Sequence, residues 1–107
     1  MSFATTPKPP YFAVIFTSIR TKKDNDGYQK TADRMVELAR KMPGFLGIES
    51  VREKIGITVS YWQDLESIEN WRQNSEHKIA QEQGIKKWYQ NYHIRITEVI
   101  RDYASNS

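Results

Sequence analysis

Two segments of the sequence carry apolar side chains at successive positions, and this feature limits the folds open to the chain most strongly. They are YFAVIFTSIR (11–20) and GITVSYWQ (56–63). Side chains on a strand alternate between its two faces, so Tyr61 and Trp62 must point in opposite directions. A sheet that contains both strands therefore has two apolar faces, and each face needs a cover.

The rest of the chain predicts the order strand, helix, strand, strand, helix pair, strand. Asp26 is the predicted N-cap of the first helix. Asp64 is the predicted N-cap of the second helix, and Asn74 or Ser75 that of the third. Gly84 is expected to weaken the third helix in its middle. The final strand alternates apolar and polar residues, which predicts that one of its faces is exposed to solvent. The predicted strands cover 11–20, 45–53, 56–63 and 92–103, and the predicted helices cover about 27–41, 65–73 and 76–90.

This order predicts an α+β, ferredoxin-like βαββαβ fold with an antiparallel sheet and a second helix broken in two. The helices cover only one face of such a sheet, and a second copy of the chain is the simplest cover for the other. We therefore expect a homodimer that forms an α+β barrel. Three of the four prolines fall within residues 1–10, which predicts an extended or disordered arm before a domain at 11–103 and a tail at 104–107.

Composition narrows the classes of function. The chain has 107 residues and no cysteine, which excludes disulfides and thiolate catalysis. The N-terminus lacks the apolar segment of a signal peptide, and no apolar run is long enough for a membrane span, so we expect a cytoplasmic protein without a membrane partner. The mildly basic charge is weak evidence for an anionic partner, and no RNP-type aromatic motif stands on the strands, so no nucleic-acid partner is expected.

Four stretches of the sequence resemble the antibiotic biosynthesis monooxygenase (ABM) family: VIFTSIRT…DGY, RMVELARKMPGFLGIES, GITVSYWQDLESIENWRQNSEH and KWYQNYHIRITEVIRDY. The resemblance covers about 11–103 and is most specific in PGFLG, in ITVSYW before a helix with Trp, and in the late WY…Y. It implies a dimeric α+β barrel with a pocket between helices and sheet in each subunit. One characterised branch of the family oxidises aromatic polyketides with molecular oxygen and neither metal nor flavin, and another binds and opens heme.

The resemblance carries over only one functional residue, Trp71. The heme-degrading branch also uses an Asn in the first strand and a His after the Trp, where this chain has Thr17 and Ser18 in the strand and Gln81 at the later position. In the polyketide branch an Asn precedes the Trp by one turn and a Tyr follows it. Ser67 and His77 hold those two positions here.

His77 is the candidate catalytic base, because a neutral imidazole near pH 7 takes or gives a proton. The alternative is a surface or capping histidine between Glu76 and Lys78. Trp71 is a core anchor, a pocket wall that stacks on a planar substrate, or both. The candidate substrate-binding residues are Ser18, Arg20, Ser67, Trp62, Trp88 and His93.

His93 has the opposite parity to Ile94 and Ile96, which are the predicted buried positions of the last strand, so His93 is expected on the other face. The two histidines lie far apart without a carboxylate at a fixed ligand spacing, so no metal site is expected. A single axial His still permits heme.

Two functions remain open from the sequence. The first is a cofactor-independent monooxygenase acting on an aromatic or other planar hydrophobic small molecule with molecular oxygen. The alternative is a dimeric barrel that binds a small hydrophobic ligand, or heme, without turnover.

Overall fold

The structure, a computed structural model, describes residues 3–105, apart from the side chain of Ser75. Residues 1–2 of the predicted arm and 106–107 of the predicted tail lie outside this range. The elements in chain order are β1 (Tyr11–Arg20), α1 (Asn25–Ala39), β2 (Phe45–Arg52), β3 (Gly56–Trp62), α2 (Leu65–Gln73), α3 (Ser75–Gln83), a π-helical turn (Gly84–Trp88) and β4 (Tyr89–Val99).

The four strands form one antiparallel sheet in the order β2-β3-β1-β4. This order, with α1 between β1 and β2 and the α2–α3 pair between β3 and β4, confirms the ferredoxin-like α+β fold. The second helix is interrupted at Asn74, so α2 and α3 are the two predicted pieces.

The strand pairing divides the sheet into an inner face, toward the helices, and an outer face. Phe12 of β1 pairs with Trp62 of β3, and both pack toward α2, which sets the inner face. Tyr61 and Ala13, which pair with each other, therefore belong to the outer face. The alternation expected from the sequence is thus observed: Trp62 faces the helices and Tyr61 faces the other side.

Two of the predicted caps are confirmed and one is wrong. The Asp64 carboxylate accepts from the backbone N–H of Ser67 at 2.7 Å, and the Asn74 side chain accepts from that of His77 at 3.0 Å. For α1, the cap is Asp24 rather than Asp26: its carboxylate accepts from the Gly27 N–H at 3.1 Å, and α1 covers 25–39 instead of 27–41. Asp24 has a φ of 51°, a left-handed conformation that aspartate tolerates better than most residues.

The last helix and last strand also meet at a different place from that predicted. The α-helix ends at Gln83, a π-helical turn follows, and the Tyr89 N–H bonds back to the Gly84 carbonyl. The turn places Trp88 in the interior, 6% exposed, and β4 begins at residue 89 rather than 92. Gly84 is required here, since a Cβ would lie 2.8 Å from the Tyr89 ring.

The packed core lies at one end of the inner face. It consists of Ala39, Trp62 and Ile68, with Phe12, Val14, Met42, Phe45 and Trp71 partly buried against it. Gly44 opens β2 beside this core with a φ of 84°, and a Cβ there would fall 1.9 Å from the Ser67 hydroxyl. This core therefore fixes α2 and the end of α1 to the sheet.

Ile94 and Ile96 of β4 correct one expectation. They face inward, since Ile94 pairs with Phe16 and Ile96 with Val14, but they are 42% and 50% exposed rather than buried. The helices pack over the β3 side of the sheet and leave the β4 edge open. Val14 and Phe16 are only half-buried for the same reason.

The proline-rich arm lies on the outer face. The Ala4 N–H donates to Glu49 Oε2 at 3.0 Å, and the Tyr61 hydroxyl donates to Glu49 Oε1 at 2.6 Å. Gly47 permits this approach, because a Cβ there would lie 2.7 Å from the Ala4 Cβ. The arm leaves other apolar residues of this face uncovered: Ile19, Val51 and Ile57 are 39%, 60% and 41% exposed.

None of the helices within residues 3–105 combines the length and the apolar character that crossing a bilayer requires.

Candidate functional site

We call the partly exposed region of the inner face, on the β1–β4 side of the sheet, the inner cleft. Its floor is formed by Val14 and Phe16 of β1 and by Ile94 and Ile96 of β4. The cleft runs between two chemically different ends of the inner face. We call them the aromatic pole, at Phe12 and Trp62, and the guanidinium pole, at Ser18 and Arg52.

The aromatic pole is a column of four rings. Phe45 meets Trp62 edge-on with ring centroids 5.3 Å apart, and Trp62 stacks on Trp71 at 6.2 Å. Trp71 in turn stacks on His77, with centroids 4.1 Å apart and only 13° between the planes. Trp62 is completely buried, so the column is anchored in the core and ends in an imidazole.

His77 has a defined tautomer. Its Nδ1 lies 2.9 Å from the Trp71 carbonyl oxygen, and a carbonyl only accepts, so Nδ1 carries the proton and Nε2 holds the lone pair. Burial lowers the pKa of His77 below its ordinary value, and the carbonyl contact, which acts in the opposite direction, is the smaller effect. His77 is therefore a neutral imidazole at pH 7, with its lone pair on Nε2.

The position of His77 follows from the helix spacing. Gly84, two turns further along, is buried against the Tyr89 ring at the start of β4. Residues seven apart share a side of a helix, so His77 lies on the sheet-facing side of α3. It is half-buried rather than exposed, in contrast to its neighbour Lys78.

The guanidinium pole is built on one row of the sheet. Arg52, Gly56 and Ser18 are directly paired across β2, β3 and β1, and Tyr92 of β4 continues the row. The Arg52 side chain crosses over Gly56, and its Nη2 donates to the Ser18 hydroxyl. Ser18 is 2% exposed, so the guanidinium ends in the interior rather than in water.

Tyr28 of α1 lies above this row. The Arg20 guanidinium stacks 3.8 Å from the centre of its ring, and that of Arg52 is 5.9 Å away. The Tyr89 hydroxyl donates to the Tyr28 hydroxyl at 3.4 Å, and burial, followed by this contact, raises the pKa of Tyr89. The pole thus combines two cations with aromatic rings.

The structure does not bring the sequence-predicted site residues together in one place. Trp71, Trp62 and His77 come together at the aromatic pole, and Ser18 and Arg20 at the other pole. Ser67 is engaged in the α2 cap, where its hydroxyl donates to Asp64 at 2.7 Å. His93 pairs with Thr17 on the outer face, away from the cleft.

The contacts of Trp88 are those of a residue that packs the domain together. Its ring meets Tyr28 edge-on at 5.8 Å, its indole N–H lies 3.4 Å from Asp24 Oδ2, and its carbonyl accepts from Arg20 and Thr21. Trp88 also borders a cleft of about 250 Å³ between α1 and α3. Arg34 and Glu76, 2.7 Å apart, join the two helices beside it.

Sequence reasoning missed Arg52, Gly56 and Tyr28 as site residues. The available signal was the hairpin between β2 and β3: its short connection pairs Arg52 with Gly56, and a glycine leaves room beside a long side chain. Among residues 3–105, no three His, Asp or Glu side chains gather in a way that holds a metal ion.

The antiparallel sheet and its helices place the chain among small ferredoxin-like α+β domains. The antibiotic biosynthesis monooxygenase family model matches residues 10–83, and the chain belongs to this family.

Two relatives are similar in sequence. The uncharacterized protein YqjZ of Bacillus subtilis (strain 168) is 52% identical over 98 residues, which cover 90% of this chain and 85% of YqjZ. A protein of Pyricularia oryzae named jasmonate monooxygenase ABM is 31% identical over 101 residues, covering 89% of this chain. The match spans only 46% of the fungal protein.

Solved structures of low sequence identity share the fold. SnoaB from Streptomyces nogalater, described as a cofactor-independent oxygenase, superposes with a TM-score of 0.75 at 9% identity, covering 92% of this chain and all of SnoaB. PA3566 from Pseudomonas aeruginosa superposes with a TM-score of 0.70 at 14% identity, covering 91% of this chain and 99% of that protein.

Proposed function

We propose that this protein is a cofactor-independent monooxygenase that oxidises an aromatic or other planar hydrophobic molecule with molecular oxygen in the inner cleft. The observation that carries the proposal is the neutral His77, with its lone pair on Nε2 and its ring held against Trp71. Family membership and the fold shared with SnoaB support the reaction type.

The proposed reaction begins with proton removal. His77 Nε2 takes a proton from an acidic CH₂ of the substrate, and the resulting carbanion transfers an electron to oxygen. The substrate radical and superoxide combine into a peroxide anion, which takes the proton back from His77 and then loses water to leave a carbonyl. One oxygen atom enters the product, the other leaves as water, and the substrate supplies all the electrons.

The chain's own contribution is position and environment. The carbonyl of Trp71 fixes the imidazole orientation, as a second hydrogen-bond partner does for other catalytic histidines. Trp71 is stacked between Trp62 and His77, so it holds the imidazole in place, and the apolar floor of the cleft offers a hydrophobic surface to the substrate.

The proposed active form is a homodimer joined through the outer faces of the two sheets. The uncovered Ile19, Val51 and Ile57 support this assembly, because they are neighbouring apolar residues on a face without helices. Sedimentation of a single chain at micromolar concentration would contradict it.

The first experiment is oxygen consumption with 1,8-dihydroxy-9-anthrone as the probe. We expect His77→Ala to lower kcat by about 100-fold or more, because a general base contributes about 10²–10⁴ in rate. Lys78→Ala, a matched change on the exposed side of the same helix, should leave kcat unaltered. Normal turnover by a folded His77→Ala protein would remove the base assignment.

The second candidate is a barrel that binds heme or another ligand without turnover. The same His77 favours it, because an imidazole whose Nδ1–H bonds a carbonyl is oriented to give Nε2 to iron. His77 would hold the iron, and bound heme would supply redox chemistry with oxygen. Titration with hemin discriminates: a stoichiometric Soret shift that disappears in His77→Ala supports heme, and an unchanged spectrum excludes it.

A further inference from the structure

The Arg52 guanidinium has an unused hydrogen-bonding side. Its Nη2 donates to Ser18, but Nη1 is buried and has no hydrogen-bond partner among residues 3–105. Buried polar groups in folded proteins are nearly always paired, and unpaired charged groups are the costliest exceptions. A buried guanidinium nitrogen without a partner is the position at which an external acceptor would gain a charge-assisted hydrogen bond.

The backbone around Arg52 is shaped to hold it there. Arg52 stands on the edge strand, from which a long side chain normally extends into water. It crosses Gly56 instead, and a Cβ at Gly56 would lie 2.1 Å from Nη2 and 2.2 Å from Cζ. The missing side chain at Gly56 is thus the space that the guanidinium occupies.

The positive charge at this pole has no acidic counterpart. Within the described part of the chain, neither Arg20 nor Arg52 forms a salt bridge. Arg20 donates only to carbonyl and amide oxygens, those of Trp88, Lys23 and Asn25. The nearby Asp24 pairs with Lys87 at 3.0 Å, so the two guanidinium groups remain uncompensated.

We infer that the guanidinium pole is the anchor for a carboxylate, and that the ligand of the inner cleft is a hydrophobic monocarboxylic acid. Arg52 Nη1 binds the carboxylate oxygen, and the apolar body lies along Phe16 and Ile94 toward Trp71. From Ser18 to Phe12, β1 advances about 20 Å at roughly 3.3 Å per residue, which bounds the length of the ligand. The inference deepens the proposed function, because it assigns a substrate class to the same cleft.

The test compares an acid with its neutral ester by isothermal titration calorimetry. The probes are 2-naphthoic acid, methyl 2-naphthoate and 2-naphthol at pH 7.5. We expect the wild type to prefer the acid over the ester and the naphthol. Arg52→Gln should weaken acid binding by about 10- to 100-fold, the loss of one charge-assisted hydrogen bond, and leave ester binding unchanged. Arg40→Gln, an exposed arginine after α1, should change neither.

Gly56→Ala provides a second variant that keeps the charge. The added methyl group displaces the guanidinium, so acid binding should fall while ester binding persists. Circular dichroism checks that each variant is folded.

Several results would overturn the inference. They are equal wild-type affinity for acid and ester, no binding of the acid, equal loss of both probes in Arg52→Gln, or a preference for naphthol over naphthoate. These titrations measure binding alone, so their failure contradicts the carboxylate assignment, whereas the monooxygenase proposal fails or stands on oxygen consumption with the anthrone.

Discussion

The two poles of the inner face lie on the same sheet but bury different chemical groups. At the aromatic pole, rings fill the space under α2, and Trp62 is completely buried with its indole N–H bonded to Ser60 at 2.9 Å. At the guanidinium pole, charged nitrogens occupy the interior and one of them has no partner. The first pole contributes stability, and the second keeps a binding capacity at a cost in stability.

This contrast predicts where substitutions act. Changes at the aromatic pole should appear mainly in the free energy of unfolding, and changes at the guanidinium pole mainly in ligand affinity. Sites that hold unpaired groups for a ligand are expected to be suboptimal for folding.

The largest expected effect is that of Trp62→Ala. Removing a completely buried indole should lower the free energy of unfolding by about 3–5 kcal/mol, because the apolar contacts are lost and a cavity remains. Urea denaturation followed by circular dichroism measures it. A loss below about 1 kcal/mol would show that the ring column is not the core of the domain.

An intermediate effect is expected from His77 at acid pH. Its folded-state pKa is lowered from 6.5, so between that value and the folded pKa the unfolded state binds the proton and the folded state does not. Wild-type stability should therefore fall as the pH decreases below 6.5, and His77→Gln should lack this part of the decline. Denaturation curves of both proteins between pH 7.5 and 5 test the difference, and parallel curves would contradict the burial of the neutral ring.

The smallest expected effect on stability is that of Arg52→Gln. The substitution removes a buried charge with an unpaired nitrogen, which is favourable, and the hydrogen bond to Ser18, whose loss is unfavourable. The free energy of unfolding should therefore change by less than about 1 kcal/mol in either direction. The same urea titration measures it. A loss comparable to that of Trp62→Ala would erase the distinction between the poles.

The fold was predictable because its signals are local. Alternation placed Trp62 and Tyr61 on opposite faces, and the Asp64 and Asn74 caps stand directly before their helices. The α1 cap was misplaced because Asp24 and Asp26 are both suitable residues, and only the left-handed backbone at Asp24 distinguishes them.

The sequence named residues at both poles, but at the guanidinium pole it named Ser18 and Arg20 and missed Arg52. Trp71 and His77 are six residues apart on the two sides of the break at Asn74, so their stacking arises locally, between the end of α2 and the start of α3. Arg52 meets Ser18 only through the strand order, a contact between residues 34 positions apart. Strand pairing over that distance depends on the whole sheet, and no local pattern reports where a long side chain ends.

The π-helical turn at Gly84–Trp88 makes this short stretch sensitive to its length rather than to its composition. Ile85, Lys86 and Lys87 are exposed, so their side chains tolerate exchange. Removing any one of them would shorten the turn from five residues to four, which is the ordinary α-helical spacing for the hydrogen bond from the Tyr89 N–H to the Gly84 carbonyl. A strand that entered the sheet one residue out of phase as a result would turn Ile94 and Ile96 to the outer face, while Val14 and Phe16 of β1 would stay in the cleft floor.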